Sequence, residues 1–181
     1  MTDQPTDVLR PLRQTRQVRE FTPTPLPAHV LDALADVARW TGSSENSQPW
    51  RFIVIRDRAT IQRIHDAGAP QTRSLLTAPA ALAIVLAGDP GDLEHAFDEG
   101  RAAERLLIGA GMLDLAAGVA WVTTSARPLV GEILGLPEDH FVRTVVALGH
   151  PSEAAMRPKS APGAARLPAS ETILREHWPQ G

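Results

Sequence analysis

Arginine residues recur at every third position near the start of the chain and could together bind an anion. They are Arg10, Arg13, Arg16 and Arg19. On a helix, residues three apart share a face, where like charges repel each other by roughly a few tenths of a kcal/mol per pair. A bound anion would relieve that repulsion, and the planar guanidinium suits bidentate contacts to phosphate or carboxylate. A solvated basic face, or ion pairs to acidic residues elsewhere, would explain the same spacing.

A polar loop is the second candidate for chemistry. Residues 42–50 read GSSENSQPW and lie between a predicted helix and a predicted strand. Their small hydroxyls, amides and backbone N–H groups are neutral donors and acceptors that can surround a phosphate or the edge of a heterocycle. The same composition is also typical of an ordinary polar turn.

A metal site is the third candidate, because His95, Asp98 and Glu99 fall on one face of a predicted helix. No second histidine is spaced to complete a ligand set. An acidic first helical turn, stabilised by the helix dipole, explains these residues better, and we predict no metal. The sequence contains neither the nucleophile elbow GxSxG nor the phosphate-binding P-loop. The GxGxxG fingerprint is also missing, because Gly109 and Gly111 are not followed by a third glycine at the required spacing.

Composition limits the function classes further. The chain has 181 residues, of which 43% are hydrophobic and 22% charged, so it predicts a single globular domain over 1–181. A formal charge of −3 gives no reason to expect nucleic acid or an anionic membrane as partner. The lack of cysteine excludes disulfides and thiolate metal sites. No apolar run approaches the roughly 18 residues that span a bilayer, so we expect a cytoplasmic protein.

The elements that must position these residues alternate between helix and strand, which predicts an α/β sandwich. Residues 80–87 (AALAIVLA) are almost wholly apolar and predict a central strand buried on both faces. Gly109 and Gly111 predict either a break in the longest helix or a close approach by a neighbour. The predicted strands are 51–56, 80–87, 119–123 and 142–148; the predicted helices begin near Val8 and Val30 and continue with 59–67, 93–117 and 128–134.

The last part of the chain, residues 151–181, follows a different pattern. It contains five of the sixteen prolines and no valine, so it cannot build its own core. Trp178 near its end suggests docking, because a large aromatic side chain on a free tail would stay in water. We therefore expect a C-terminal extended arm.

Taken in order, these segments resemble the nitroreductase family of flavoproteins. Residues 16–21 (RQVREF) resemble its Arg-Ser-x-Arg-x-aromatic signature, and 42–52 (GSSENSQPWRF) resemble its Pro-Ser-Ser-x-Asn-x-Gln-Pro-Trp-x-Phe signature. Later segments resemble its dimer helix, the strand after it, its last core strand and its C-terminal basic residue: Asp98-x-Gly100, 118–121 (GVAW), 145–151 (VVALGHP) and 166–168 (RLP). The resemblance implies a three-layer α/β (α+β) sandwich, a central mixed sheet flanked by helices, and an interlocked homodimer.

The resemblance also implies FMN as cofactor, bound at the subunit interface. Arg16 and Arg166 would bind its phosphate, Gln17 would lie at the ribitol, and Arg19 would face the O2/N1 edge of the isoalloxazine. The partner chain would contribute the polar loop, and the backbone groups of two adjacent residues would lie near N5. These further residues are Ser43, Ser44, Asn46 and Gln48 from the loop, and Val122 and Thr123 near N5.

Four positions depart from the family pattern, namely Thr15, Gln17, Gly42 and Thr123. Glutamine and threonine can still donate hydrogen bonds to phosphate or ribitol, so we expect flavin binding to survive.

The function implied is transfer of a hydride from NADH or NADPH through FMN to a small organic acceptor such as a nitroaromatic or a quinone. No side chain need act as acid or base, because the cofactor carries the chemistry. One alternative is a flavin-binding or storage protein with little turnover. Another is a specialised relative that performs dehalogenation, flavin fragmentation or enoyl reduction. A metal hydrolase built on His95, Asp98 and Glu99 is the remaining alternative.

Overall fold

One four-stranded sheet organises the chain, in the order β1-β2-β4-β3. The structure is a computed structural model that describes residues 5–157, 160 and 166–178. Every pair of neighbouring strands is antiparallel, and β2 and β4 are central and almost wholly buried. The strands are β1 (Trp50–Ile55), β2 (Ala80–Ala87), β3 (Ala116–Trp121) and β4 (His140–Gly149).

Helices cover both faces of the sheet. The α-helices are α1 (Pro5–Val8), α2 (Arg10–Gln14), α3 (Ala28–Arg39), α4 (Arg58–Gly68), α5 (Leu93–Met112), α6 (Arg127–Leu134), α7 (Glu153–Met156) and α8 (Ala169–Thr172); two 3-10 helices span Ser44–Asn46 and Arg73–Leu75. One apolar core joins α3 and α5 to the sheet, and a second joins α4 and α6 to its other face. None of the helices in the described part of the chain has the length and apolar character needed to cross a membrane.

The three-layer α+β sandwich is therefore confirmed, with β2 in the predicted central place. The expected mixed pairing is not found among the four strands. Within the described residues, parallel pairing occurs as an isolated bridge between Gln17 and Ala117. β2 and β3 run in the same direction, but β4 lies between them and is antiparallel to both, so no two neighbouring strands among the four are parallel.

Two predicted helices end earlier than expected. The prediction for 93–117 runs five residues too far, because Asp114 takes a left-handed φ of 54° and turns the chain into β3. Gly109 does not break α5; a Cβ on it would lie 3.1 Å from the Leu34 side chain, so the glycine allows α3 to pack closely. The first helical segment ends at Gln14, which leaves Arg16 on extended chain rather than on a helical face with Arg13.

Part of the predicted arm lies outside the described residues, at 158–159, 161–165 and 179–181. The described part contains α7 and α8, and its side chains are exposed or half-buried. Trp178 is 82% exposed, so the described residues of its own chain leave most of its side chain uncovered. The docking of this arm stays a prediction.

Candidate functional site

The candidate site lies along the edge of β3 that faces away from β4. Alternate residues of a strand direct their N–H and C=O groups to the same side, and the groups of Ala117 and Trp121 point away from β4. The Val18 N–H donates to the Ala117 carbonyl at 2.8 Å, and the Trp121 N–H donates to the Gln71 carbonyl at 3.4 Å. Two segments, 16–20 and 70–73, are thereby held against this edge.

Gly118 permits that arrangement because it has no side chain. A Cβ at this position would overlap the Val18 carbonyl oxygen and lie 3.0 Å from the Val18 carbonyl carbon. It would also lie 3.3 Å from the Ser74 Cβ. The 16–20 segment can therefore approach β3 closely only where the strand carries glycine.

A cleft of about 730 Å³ opens beside segment 16–20, and we name it the arginine cleft. Four guanidinium side chains line it: Arg16, Arg19, Arg73 and Arg166, with Gln17 between the first two. Arg16 Nη2 donates to the Ala155 carbonyl at 3.2 Å, which connects the cleft to α7. Three sequence-predicted cations, from opposite ends of the chain, thus line one cavity.

A second cleft of about 610 Å³ adjoins the first and shares Gln17, Arg19 and Arg73 with it. Its other wall carries Gln71 and the indole of Trp121, which is 48% exposed. This cleft therefore combines cationic and amide donors on one side with an aromatic surface on the other.

Sequence reasoning missed Gln71 and Arg73. Between them Thr72 is fully buried, and its hydroxyl donates to the His65 carbonyl at 2.8 Å. His65 Nδ1 lies 3.1 Å from the Thr72 carbonyl oxygen, so two hydrogen bonds fix this turn. Because the Thr72 side chain points into the core, the side chains of Gln71 and Arg73 on either side of it point out toward the clefts. No motif marks either residue in the sequence. Arg73 comes close to the predicted arginine residues only in the folded chain, so the sequence offered no signal for it.

The polar loop does not line either cleft of its own chain. Its backbone is fixed locally: the Ser44 N–H donates to Asp98 Oδ2 at 3.0 Å, and the Gln48 N–H donates to Ser43 Oγ at 2.9 Å. Asn46 and Gln48 have φ values of 56° and 49° in the left-handed region. Ser44, Asn46 and Gln48 are exposed, and Ser43 is half-buried, so the loop presents its donors outward.

Val122 and Thr123 follow Trp121 directly at the end of β3. The Val122 N–H donates to the Arg143 carbonyl at 2.8 Å, and the Val122 side chain is fully buried. The Thr123 carbonyl accepts from the N–H groups of Ala126 and Arg127 at 3.0 and 3.1 Å. The Val122 carbonyl and the Thr123 N–H are the groups of this turn that those bonds leave unused.

Comparison with known proteins shows which proteins this chain resembles. The model of the nitroreductase family matches residues 12–78. A protein of Archaeoglobus fulgidus, provisionally named an NADH dehydrogenase/NAD(P)H nitroreductase, is 28% identical over 156 residues, covering 81% of this chain and 87% of the relative. The chain is therefore similar to the nitroreductase family, over residues 12–78 by the family model and over most of its length by this relative.

Solved structures related to the nitroreductase family share the fold. An FMN-dependent nitroreductase from Clostridium difficile superposes with a TM-score of 0.79 at 20% identity, covering 93% of this chain and 98% of that one. A protein of Desulfovibrio desulfuricans, provisionally named a nitroreductase and solved in complex with FMN, gives a TM-score of 0.79 at 23% identity, covering 98% and 100%.

The part of the chain that matches the nitroreductase family model contains segment 16–20, the polar loop and Arg73. Arg166 and the turn at Val122 and Thr123 lie outside it. Their assignment to the site therefore depends on the geometry: Arg166 lines the arginine cleft, and the turn follows a residue of the adjoining cleft.

The acidic residues of α5 are committed to protein contacts. Asp98 accepts hydrogen bonds from the polar loop and from Arg101, and Glu99 accepts one from Arg143 at 2.7 Å. His95 lies beside a different carboxylate, with its Nδ1 at 3.5 Å from Asp92 Oδ2. Within the described residues, no three His, Asp or Glu side chains are grouped closely enough to hold a metal ion.

Burial also lowers the pKa of an arginine near Glu99. Arg127 is half-buried, and desolvation lowers the pKa of its guanidinium, with the positive charge of Arg143 as the second cause. Glu99 acts in the opposite direction on the same pKa. A guanidinium is not deprotonated in proteins near neutral pH, so Arg127 keeps its positive charge beside Arg143.

Proposed function

We propose that this chain binds FMN along the arginine cleft and uses it to transfer hydride from NADH or NADPH to a small organic electron acceptor. The observation that carries the proposal is the convergence of Arg16, Arg19 and Arg166, with Gln17, on one cavity. Arg16 and Arg166 are far apart in sequence, so their presence on one cavity is a property of the fold. A nitroaromatic or a quinone is the acceptor class we expect.

The residues present fit FMN by their chemistry. A phosphate monoester is a dianion that suits two guanidinium groups, and Arg16 and Arg166 supply them. The cleft volume of about 730 Å³ falls in the range of small-molecule sites, roughly 300–1,000 Å³. The adjoining cleft offers the aromatic surface of Trp121 and the amide of Gln71 for a planar ring.

The names of similar proteins support the same cofactor and reductant. Relatives from Archaeoglobus fulgidus and Methanothermobacter thermautotrophicus carry NADH and NAD(P)H in their names, and the Clostridium difficile neighbour is called FMN-dependent. The Desulfovibrio desulfuricans protein was solved with FMN. We therefore assign the chain to the NAD(P)H-dependent oxidoreductases.

Bound FMN would supply hydride acceptance and donation at N5, and the chain's residues would bind and orient it. Arg16 and Arg166 would hold the phosphate, and Gln17 the ribitol. Arg19 would place a cation at the O2/N1 edge, where the reduced cofactor carries negative charge. The Val122 carbonyl and the Thr123 N–H would be the backbone groups offered near N5. Arg73 adds a fourth cation to this cleft.

A homodimer is part of the proposal. The polar loop lies away from the arginine cleft of its own chain, so Ser43, Ser44, Asn46 and Gln48 would have to reach the flavin of a partner. Large apolar side chains stay exposed on α5 and on the arm: Leu93 (82%), Phe97 (69%), Met112 (69%) and Trp178 (82%). A second copy would cover such surface. Cytoplasmic location stays a prediction.

The test is reconstitution followed by steady-state turnover. Protein freed of ligand is titrated with FMN, and NADH and NADPH oxidation is then followed with a quinone and with a nitroaromatic as acceptors. The proposal predicts FMN binding and oxidation of at least one reductant. Absence of FMN binding would refute the proposed site. Tight binding with no reductant oxidation would instead support a flavin storage protein.

Further variants distinguish the role of Arg19 from general folding. Arg19→Lys keeps a cation near the ring edge, whereas Arg19→Gln removes it. Loss of one hydrogen bond to a charged group corresponds to about a tenfold effect or more, which we expect in the reduction rate of Arg19→Gln. Arg10→Gln is a matched control, because Arg10 of α2 pairs with Asp7 of α1, both side chains are exposed, and neither residue lines either cleft.

A further inference from the structure

Two adjacent carboxylates on α5 are buried where the helix is otherwise apolar. Asp98 and Glu99 are each 2% exposed, and the following residues that face the core are Ala102, Ala103 and Leu106. Buried carboxylates destabilise a fold unless they are paired and hydrogen-bonded. Successive residues on a helix point about 100° apart, so the two carboxylates address different neighbours.

Asp98 holds the polar loop. Its Oδ2 accepts the Ser44 N–H at 3.0 Å, and its Oδ1 accepts Arg101 Nη1 at 3.1 Å. A Cβ on Gly42 would lie 2.9 Å from Arg101 Nη2, so the loop packs directly on this ion pair. One carboxylate thus fixes both the backbone of the loop and the arginine beneath it.

Glu99 holds the other side of the site. Its Oε2 accepts Arg143 Nε at 2.7 Å, and Arg143 Nη1 donates to the Pro90 carbonyl at 3.2 Å. Arg143 lies at a register shift in β4, where Thr144 pairs with Ile84 and Val142 pairs with Val85. A bulged residue redirects both its side chain and its backbone.

The bulge connects Glu99 to the turn at the end of β3. The carbonyl of Arg143 accepts the Val122 N–H at 2.8 Å. Fixing the Arg143 side chain therefore fixes the carbonyl that sets the position of Val122 and, one residue on, Thr123. In the described residues, this is a continuous path of contacts from α5 to the turn proposed to lie near N5.

We propose that Asp98 and Glu99 are positioning residues that use α5 to hold the polar loop and the Val122–Thr123 turn in fixed relation to each other. The inference rests on the proposed FMN function. In the proposed dimer, the loop serves the partner's flavin and the turn serves the chain's own, so α5 connects the two sites. Neither carboxylate touches a reacting atom.

The two residues should affect different steps. Asp98→Asn leaves a single acceptor oxygen for two donors, so either the contact to the Ser44 N–H or the contact to the Arg101 guanidinium is lost. We expect its main effect on FMN affinity, a rise in Kd of about tenfold. Glu99→Gln weakens the hold on Arg143 and shifts the turn. We expect its main effect on the first-order rate at which NADH or NADPH reduces flavin already bound, a fall of about tenfold to a hundredfold.

A double variant separates positioning from stability. Glu99→Gln alone leaves Arg143 charged and poorly paired, and the chain could fail to fold for that reason. Glu99→Gln with Arg143→Gln replaces the ion pair by two neutral amides and removes the unpaired charge. Melting temperature is measured beside the rate for both. Glu138→Gln, an exposed carboxylate of the loop before β4, is the control.

The expected result is a double variant that melts near the wild-type temperature and still reduces its flavin slowly. Recovery of the wild-type rate together with stability would overturn the inference, because Glu99 would then act only on folding. Equal Kd and rate in Asp98→Asn, Glu99→Gln and the wild type would also overturn it. If the wild type itself binds no FMN, the proposed function fails, and that result is distinct from either of these.

Discussion

Gly118→Ala should damage the site and the fold together, because one atom is added where two segments touch. The new Cβ would overlap the Val18 carbonyl oxygen and lie 3.0 Å from its carbon. A relaxed C···O approach is about 3.3 Å, so the segment must move by about an ångström or more. Such a shift strains the hydrogen bond from Val18 to Ala117, now 2.8 Å, and displaces Gln17 and Arg19 on either side.

The expected losses of stability and of FMN affinity follow from overpacking and from the weakened hydrogen bond. Overpacking a tight contact destabilises by about 1–3 kcal/mol. For a chain of this size each kcal/mol lowers Tm by about 2–4 °C. We therefore expect Tm to fall by about 2–12 °C. FMN affinity should fall by about tenfold or more, since misplacement by an ångström breaks contacts to a charged ligand.

The assay is FMN titration by fluorescence quenching, beside thermal unfolding of the ligand-free protein. Gly131→Ala is the matched control, because Gly131 lies inside α6 and a Cβ there meets nothing within 4 Å. Alanine in a helix interior stabilises by about 0.5–1 kcal/mol relative to glycine, so the control should melt slightly higher and bind FMN unchanged. Wild-type Tm and Kd in Gly118→Ala would refute the close approach.

Two further variants test the proposed phosphate contacts and the capping of α4. Arg16→Ala should raise the FMN Kd by about tenfold to a hundredfold, the value of a hydrogen bond to a charged group, while Arg13→Ala, exposed on α2, should not. Equal Kd values for the two would remove Arg16 from the site. Asp57 caps α4, and the hydrogen bond from the Thr60 side chain is the first cause that lowers its pKa. A lowered folded-state pKa contributes stability above the unfolded pKa, and that contribution is lost as the pH falls through the folded pKa. The Tm advantage of the wild type over Asp57→Asn should thus shrink as pH drops from about 5 to about 3, and a constant difference over that range would contradict the assignment.

The strands were predictable because burial leaves a strong mark on sequence. The run at 80–87 is wholly apolar, and β2 spans those same residues at the centre of the sheet. Gly135 after the predicted helix 128–134 adopts the left-handed φ of 65° that ends α6. The direction in which the strands pair could not be predicted from burial, and the expected mixed sheet proved antiparallel. The end of α5 was missed because Leu113 and Leu115 continue an apolar pattern past the turn at Asp114.

The residues of the arginine cleft were predictable where they lie in segments that resemble the nitroreductase family. Arg16, Gln17 and Arg19 come from one short run, and Arg166 comes from a second segment near the end of the chain. Arg73 enters the same cleft from a turn far along the chain, held by the buried Thr72, and no local pattern marks it. The Glu99–Arg143 pair was also invisible, because a contact between a helix and a bulge depends on tertiary packing alone.

The measurement that tests the central claim most directly is a visible absorption spectrum of the FMN-loaded protein before and after anaerobic NADH or NADPH. The account predicts flavin bands that bleach rapidly with at least one reductant and return when a quinone or nitroaromatic acceptor is added. A protein that shows no flavin bands after incubation with FMN, or bound flavin that neither reductant bleaches, would contradict it.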